Sequence, residues 1–146
     1  MAPGKNKASA STEGGYLIDT HALIWIGWQP EKLATETIAI LADHNNRLYY
    51  SPASIQEIAI KADLGKPDFG FDPVSLTEGL KEAGYIELPI TSRHACSIRN
   101  LPEKMHKDPF DRLLVAQARE ENLILITNDE KIIQYCSDYI KIIKCC

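Results

Sequence analysis

The sequence is poor in the features that mark several large classes of protein. No apolar run reaches the roughly 18 residues that a membrane helix needs, so no span is predicted. The opening stretch, MAPGKNKASASTEGG, has no apolar segment of the kind a secretory signal carries. There are only four cysteines, Cys96, Cys136, Cys145 and Cys146, with no C-x-x-C pair and no histidine at zinc spacing. A stapled secreted domain is usually shorter and denser in cysteine, so these read as free thiols of a reducing, cytoplasmic compartment. Positive charge is also scarce, with 16 Lys and Arg against 20 Asp and Glu and a net charge of −4. A protein that simply coats nucleic acid would be basic. A nucleic-acid substrate stays open if carboxylates are gathered around a metal ion.

What is present is an ordinary globular composition, 45% hydrophobic and 25% charged, which excludes disorder throughout. At 146 residues the chain fits one domain, long enough to bury about two thirds of its unfolded surface. Residues 1–15 are small, polar and rich in Gly and Ser, and read as a flexible tail, part of it an artefact of expression. Residues 16–146 are then a single domain.

Short apolar runs alternate with helical patterns along that domain. Tyr16–Asp19 (YLID), Leu48–Ser51 (LYYS), Tyr85–Leu88, Leu123–Thr127 (LILIT) and Tyr139–Ile143 read as strands. A helix is expected after Asp19, another from Pro30 to about Ala42, and a third over Ser54–Leu64. For that third helix, Ser54 and Glu57 have capping-box spacing and Gly65 supplies the stop. Asp72-Pro73 and Asp108-Pro109 open helices as cap and first position. Thr91 caps a helix running to about Asn100, and a short helix spans Glu130–Cys136. Strands separated by helices imply an α/β three-layer sandwich with a central parallel sheet of about five strands. In such sheets ligands bind beyond the carboxyl ends of the strands.

Acidic residues gather where that rule points. Asp19 ends the first strand, Glu57 lies in the first turn after the second, Asp108 and Asp111 open the helix before the fourth, and Asp129 follows the fourth. Carboxylates brought together repel and raise one another's pKa. A divalent cation relieves this, and oxygen-only ligands favour Mg²⁺ or Mn²⁺. Such a centre activates water and stabilises charge on a phosphodiester. Four of the five acids also have a plainer reading: Glu57 as the N3 partner of Ser54, Asp108 as an N-cap, Asp111 as an N3 acid favoured by the helix dipole, Asp129 as a turn or cap. Asp19, an acid ending an apolar strand, is harder to dismiss. The joint placement is the signal.

Four segments carry a resemblance: LIDTHALIW (17–25), SPASIQEIAIK (51–61), LPEKMHKDPFDRLLVAQA (101–118) and LITNDEKI (125–132). Together they resemble the PIN-domain family, and within it the VapC-type toxins of toxin–antitoxin modules, over residues 16–143. The resemblance implies a PIN-like fold and a Mg²⁺- or Mn²⁺-dependent endoribonuclease, dimeric and neutralised by a cognate antitoxin. By motif it assigns Asp19, Glu57, Asp111 and Asp129 as the catalytic metal ligands. Asp108 is a further acid of the D-P-F-D pattern, and Thr20 and Thr127 are hydroxyl supports.

Several other residues stay open. His21 and His106 flank acids; His21 either orients substrate or bonds within its own helix. His44 and His94 read as surface residues. Trp25, Ile26 and Trp28 read as core or dimer packing. Lys107 and Arg112 adjoin the acids and are the first candidates for RNA phosphate contacts, ahead of Lys61, Arg93, Arg99 and Lys104. Two rival functions use the same kind of fold. One is a phosphoacceptor regulator, which needs a second acid beside Asp19 where the chain has Thr20 and His21. The other is a non-catalytic RNA- or partner-binding module.

Overall fold

A computed structural model describes residues 14–70, 72–105 and 107–146. The tail expected over 1–15 and His106 therefore lie largely or wholly outside the described residues. Five strands form one sheet: β1 (Tyr16–Ile18), β2 (Leu48–Tyr50), β3 (Ile86–Glu87), β4 (Ile124–Thr127) and β5 (Ile142–Lys144). Their order is β3-β2-β1-β4-β5 and every pairing is parallel. Around them lie α1 (Thr20–Trp28), α2 (Thr35–Ala42), α3 (Pro52–Asp63), α4 (Pro73–Glu82), α5 (Ser92–Ser97), α6 (Pro109–Glu121) and α7 (Glu130–Cys136). No helix among the described residues is long and apolar enough to cross a membrane.

The strands are apolar because both faces of the sheet are covered. Alternate side chains feed two cores. Leu17, Tyr49 and Leu125 pack with Leu114, Val115, Ala118, Ile132 and Cys136 of α6 and α7. Ile18, Tyr50 and Ile126 pack with Leu23, Ile58, Leu76 and Leu80 of α1, α3 and α4. A slip of one residue in β1 would exchange Leu17 and Ile18 between cores, so the register is set from both sides. Gly15 lets β1 enter between its neighbours: a Cβ there would meet Tyr49 Cε2 at 3.0 Å and Arg47 O at 3.1 Å. Gln117, wholly buried in α6, ties that helix to the end of β3 by donating Nε2–H to Leu88 O at 3.1 Å.

Local chemistry explains where the elements differ from expectation. The helix expected from Pro30 to Ala42 is two pieces, a 3-10 turn at Pro30–Lys32 and then α2, because Leu33 and Ala34 are extended. Ala34 N–H leaves the helical path to donate to Cys145 O at 2.8 Å. Helix α3 starts at Pro52, not Ser54: Ser51 is the N-cap and accepts from Ala53 N at 3.0 Å. Gly65 at φ 69° ends it as expected. The edge strand β5 starts at Ile142 rather than Tyr139, since Tyr139 and Ile140 still donate their amides to Cys136 O. His94 is not a surface residue but 1% exposed. It closes a capping box with Thr91 and sets Nε2 2.7 Å from Glu121 Oε2.

Candidate active site at the carboxyl rim of the sheet

In the order β3-β2-β1-β4-β5, the chain winds outward from β1 to β3 and then crosses to β4 on the other side of β1. The crevice between the ends of β1 and β4 is where such a sheet reverses direction and where ligands bind. Asp19 directly follows β1 and is the N-cap of α1, accepting from Thr20 N at 2.6 Å. Its other oxygen accepts from the Thr127 hydroxyl at the end of β4. Thr127 Oγ1 in turn accepts from Asp129 N at 3.0 Å. One hydroxyl thus ties the acid of β1 to the loop that carries the acid of β4. Asp129 caps α7, accepting from Ile132 N at 2.9 Å.

Glu57 comes to the same rim from α3. Since Ser51 is the cap, Glu57 lies in the second turn, and the Ser54–Glu57 capping box does not form. Ser54 is instead buried beside Thr20. A carboxylate only accepts, so the Thr20 hydroxyl donates to Glu57 Oε1 at 2.8 Å. Ser54 Oγ, 2.9 Å away, is left to donate to Thr20 Oγ1. Lys61, one helical turn beyond Glu57, sets Nζ 2.6 Å from Oε2. Asp108 and Asp111 arrive on the first turn of α6, with Asp108 as N-cap accepting from Phe110 N at 2.9 Å and Asp111 N at 3.2 Å.

The electrostatics show that these acids share one space. Burial raises the Asp111 carboxyl most, and the charges of Asp19, Asp108, Asp129 and Glu57 add to it, pushing its pKa up to about 9. Burial likewise raises Asp19; its bonds from Thr127 and Thr20 pull the other way, and Glu57 adds to the rise. Burial of Lys61 opposes its charge. The bond and charge of Glu57, with Asp108 and Asp111 behind them, still hold its ammonium above the usual value. A carboxyl pushed up by burial and by neighbouring acids is one whose charged form a nearby cation would stabilise. The donors are all oxygen, which suits a hard divalent ion. Among the described residues, no three carboxylates, histidines or cysteines are drawn tightly enough to hold an ion as they stand. The oxygens of Asp19, Glu57, Asp108 and Asp129 accept from Thr20, Thr127, Lys61 and the amides of helix starts.

All five acids and both threonines of the sequence reading stand at this rim. Lys107 is exposed beside Asp108, whereas Arg112 is half-buried and reaches Ile98 O at 3.4 Å. His21 packs its ring against Trp25 and Phe69, at 5.9 and 5.8 Å between centroids, within electrostatic reach of Asp19. Sequence reasoning misses two participants: Ser54, whose spacing to Glu57 suggests a capping box, and Lys61, which ranks behind Lys107 and Arg112 as an RNA phosphate contact. The i, i+4 spacing of Glu57 and Lys61 on one helix face was the available signal for the second.

A PIN domain model matches residues 16–137. No curated protein matches the sequence. Several solved structures share the fold. DNA-bound VapBC from Salmonella typhimurium is 16% identical with a TM-score of 0.66, over 90% of this chain and 98% of that one. VapBC2 from Rickettsia felis, bound to a DNA fragment from its promoter, is 15% identical with a TM-score of 0.65, over 88% and 96%. VapBC-1 from nontypeable Haemophilus influenzae is 20% identical with a TM-score of 0.61, over 88% and 96%.

Proposed function

The chain belongs to the PIN-domain family, whose model spans residues 16–137, and from that premise we propose that it is a divalent-metal-dependent endoribonuclease, the toxin of a cytoplasmic toxin–antitoxin pair. What supports the reading is the approach of Asp19, Glu57, Asp111 and Asp129, from four separate elements, to one rim, where burial and the neighbouring acids push the Asp111 carboxyl up to about 9.

In this reading those four acids hold Mg²⁺ or Mn²⁺, directly or through water, with Asp108 beside them. The bound ion supplies Lewis-acid activation of water and offsets the charge of the scissile phosphate. The protein's own residues fix the geometry. Thr20 orients Glu57, and Thr127 holds Asp19 and the Asp129 loop in register. The starts of α6 and α7 aim backbone amides at the same rim, which favours negative groups there. Lys107, exposed and adjacent in sequence to Asp108, and half-buried Arg112 are the side chains proposed to meet RNA phosphates. In-line attack by water would leave 3′-hydroxyl and 5′-phosphate ends.

The toxin–antitoxin setting is supported by the motif resemblance and by the likeness to the VapBC structures. Homodimer formation fits Trp28, 46% exposed, beside half-buried Trp25 and Ile26 on α1. Sedimentation at micromolar concentration should show twice the chain mass; a monomer alone would remove the dimer. The phosphoacceptor rival is disfavoured by the sheet. Such regulators use the order 2-1-3-4-5, whereas β1 here lies between β2 and β4. The deciding test is incubation with total cellular RNA. Cleavage should appear with Mn²⁺, vanish with EDTA and leave 5′-phosphate ends. Cleavage that persists in EDTA would point to metal-free chemistry, and no cleavage under any metal to a binding module.

A further inference from the structure

Beside the acidic rim, on the α1 side, stands a wall of rings. His21 meets Phe69 edge-on, and Trp25 lies against its other neighbouring side one helical turn on. Phe69 is buried and backs the wall, while His21 and Trp25 are half-buried. Two links join the wall to the acids. His21 is within electrostatic reach of Asp19. Lys61 bridges the other end, 2.6 Å from Glu57 Oε2 and 5.2 Å from the Phe69 centroid. Trp25 follows Asp19 by about 9 Å along the helix, a short stretch of nucleic-acid strand. The fold leaves two features of this wall unused. Among the described residues no group hydrogen-bonds to the His21 ring. The ammonium of Lys32 stands over the Trp25 indole, 5.6 Å from the centroid, and Lys32 is exposed. A cation on an exposed stem is weakly held there and readily replaced. Core packing accounts for Phe69, but not for a half-open histidine without a hydrogen bond or an indole under an exposed cation.

Resting on the nuclease reading above, we propose that His21 and Trp25 form the subsite for an unpaired nucleobase beside the scissile phosphate. The base stacks on the Trp25 indole in place of Lys32, whose ammonium moves to the adjoining phosphate. Stacking suits every base, because each has a flat π-face, and a lysine beside it holds the strand by charge. A base paired within a duplex has no face to offer, so the subsite selects single-stranded RNA. His21, held between Phe69 and Trp25, keeps the platform against the acidic rim. Ile26 and Trp28, which fit a dimer face, take no part in it.

The test reads stacking rather than cleavage. The chain has two tryptophans, and Trp28→Phe, at an exposed position, leaves Trp25 as the single reporter. In Ca²⁺, a hard ion for the acidic rim, a single-stranded oligoribonucleotide should quench Trp25 fluorescence. The same strand annealed to its complement should not. Within that background, His21→Ala should weaken binding about tenfold. Lys32→Met should weaken it a few-fold and make its salt dependence shallower. If His21→Ala does not fold, His21→Phe, which keeps a ring in the wall, should retain the quenching. If Trp28→Phe does not fold, the parent should show quenching that Trp25→Phe loses. No quenching by the single strand, or equal quenching by the duplex, would overturn the subsite. Trp25 emission that follows protein concentration and ignores RNA would overturn it too, and give the wall to a second copy of the chain. Cleavage in Mn²⁺ without quenching would remove the subsite and leave the nuclease. Quenching without cleavage in Mn²⁺ would keep the stacking wall and remove the nuclease.

Discussion

The chain opens two helices with the same dipeptide, and the two openings differ in everything except local geometry. Asp72-Pro73 starts α4 and Asp108-Pro109 starts α6. Both aspartates are N-caps and both prolines sit in the first turn, where no backbone N–H is missed. Asp72 is exposed, and what acts on it is local. The Ser75 hydroxyl at 2.9 Å, then the amides of Val74 and Ser75, lower its pKa. Asp108 makes the same kind of bonds to Phe110 and Asp111, yet its charge helps to push Asp111 up to about 9. The motif is identical as local structure. Its chemistry is decided by what the β3-to-β4 crossover brings beside it, which is the rim carrying Asp19, Asp129 and Glu57.

The largest expected effect comes from Asp111→Asn. The amide keeps the size of the side chain and removes the charge that an ion needs, so RNA cleavage should fall by about a hundredfold or more. Stability without metal should move the other way. A carboxyl with a raised folded pKa costs stability above its unfolded value, because the unfolded chain releases a proton that the folded one retains. The parent in EDTA should therefore lose stability as pH rises from 3.8 toward about 9. Asp111→Asn should flatten that slope and raise the melting temperature at neutral pH. Thermal melts across pH would check this. A variant with normal cleavage would move the third ligand to Asp108, and an unchanged slope would mean that Asp111 does not feel its neighbours.

Glu57→Gln sharpens the contrast between an acid pressed by like charges and one that has a cation. Cleavage should again fall by about a hundredfold or more. In EDTA, however, stability should drop by roughly 1–2 kcal/mol. The amide nitrogen must face either the Lys61 ammonium or the Thr20 hydroxyl, whereas the carboxylate accepts from both. Full activity with the lower stability would leave Glu57 a purely structural role.

Much of this was legible in the sequence because strands, Asp-Pro starts and glycine stops are local signals. All five strands and the span of α7 follow from apolar runs and caps. The acids were legible chiefly as a set, since Glu57, Asp108, Asp111 and Asp129 each have an adequate local reading and only Asp19, ending an apolar strand, stood out alone. Where local signals competed, the sequence misled. Ser51 and Ser54 both precede plausible helix starts, and Pro52 at N1 decides for Ser51, which frees Ser54 to face Thr20. The break at Leu33 and Ala34 depends on Cys145, far along the chain, accepting from Ala34 N. His94 looked like a surface residue because its partner, Glu121, lies at the far end of another helix. Such pairings are set by tertiary approach and leave no periodic trace.

The smallest expected effect isolates the comparison between the two Asp-Pro openings, because one substitution can be made at both. Asparagine caps a helix about as well as aspartate, so Asp72→Asn and Asp108→Asn each keep the local role and remove one charge. At Asp72 nothing else is lost. Cleavage should equal the parent's, and the only change should appear at low pH. There the parent loses the stability of an acid whose pKa is depressed as it protonates below 3.8, and the variant does not. At Asp108 the cap also survives, and removing a charge beside Asp111 should leave stability in EDTA unchanged or slightly higher. Cleavage should nonetheless fall, by about tenfold, because the site loses part of the negative field that attracts a divalent ion. Parallel melts and cleavage rates for the two variants decide the matter. Equal, unreduced cleavage in both would make Asp108 a cap and nothing more, and would restrict the functional acids to Asp19, Glu57, Asp111 and Asp129.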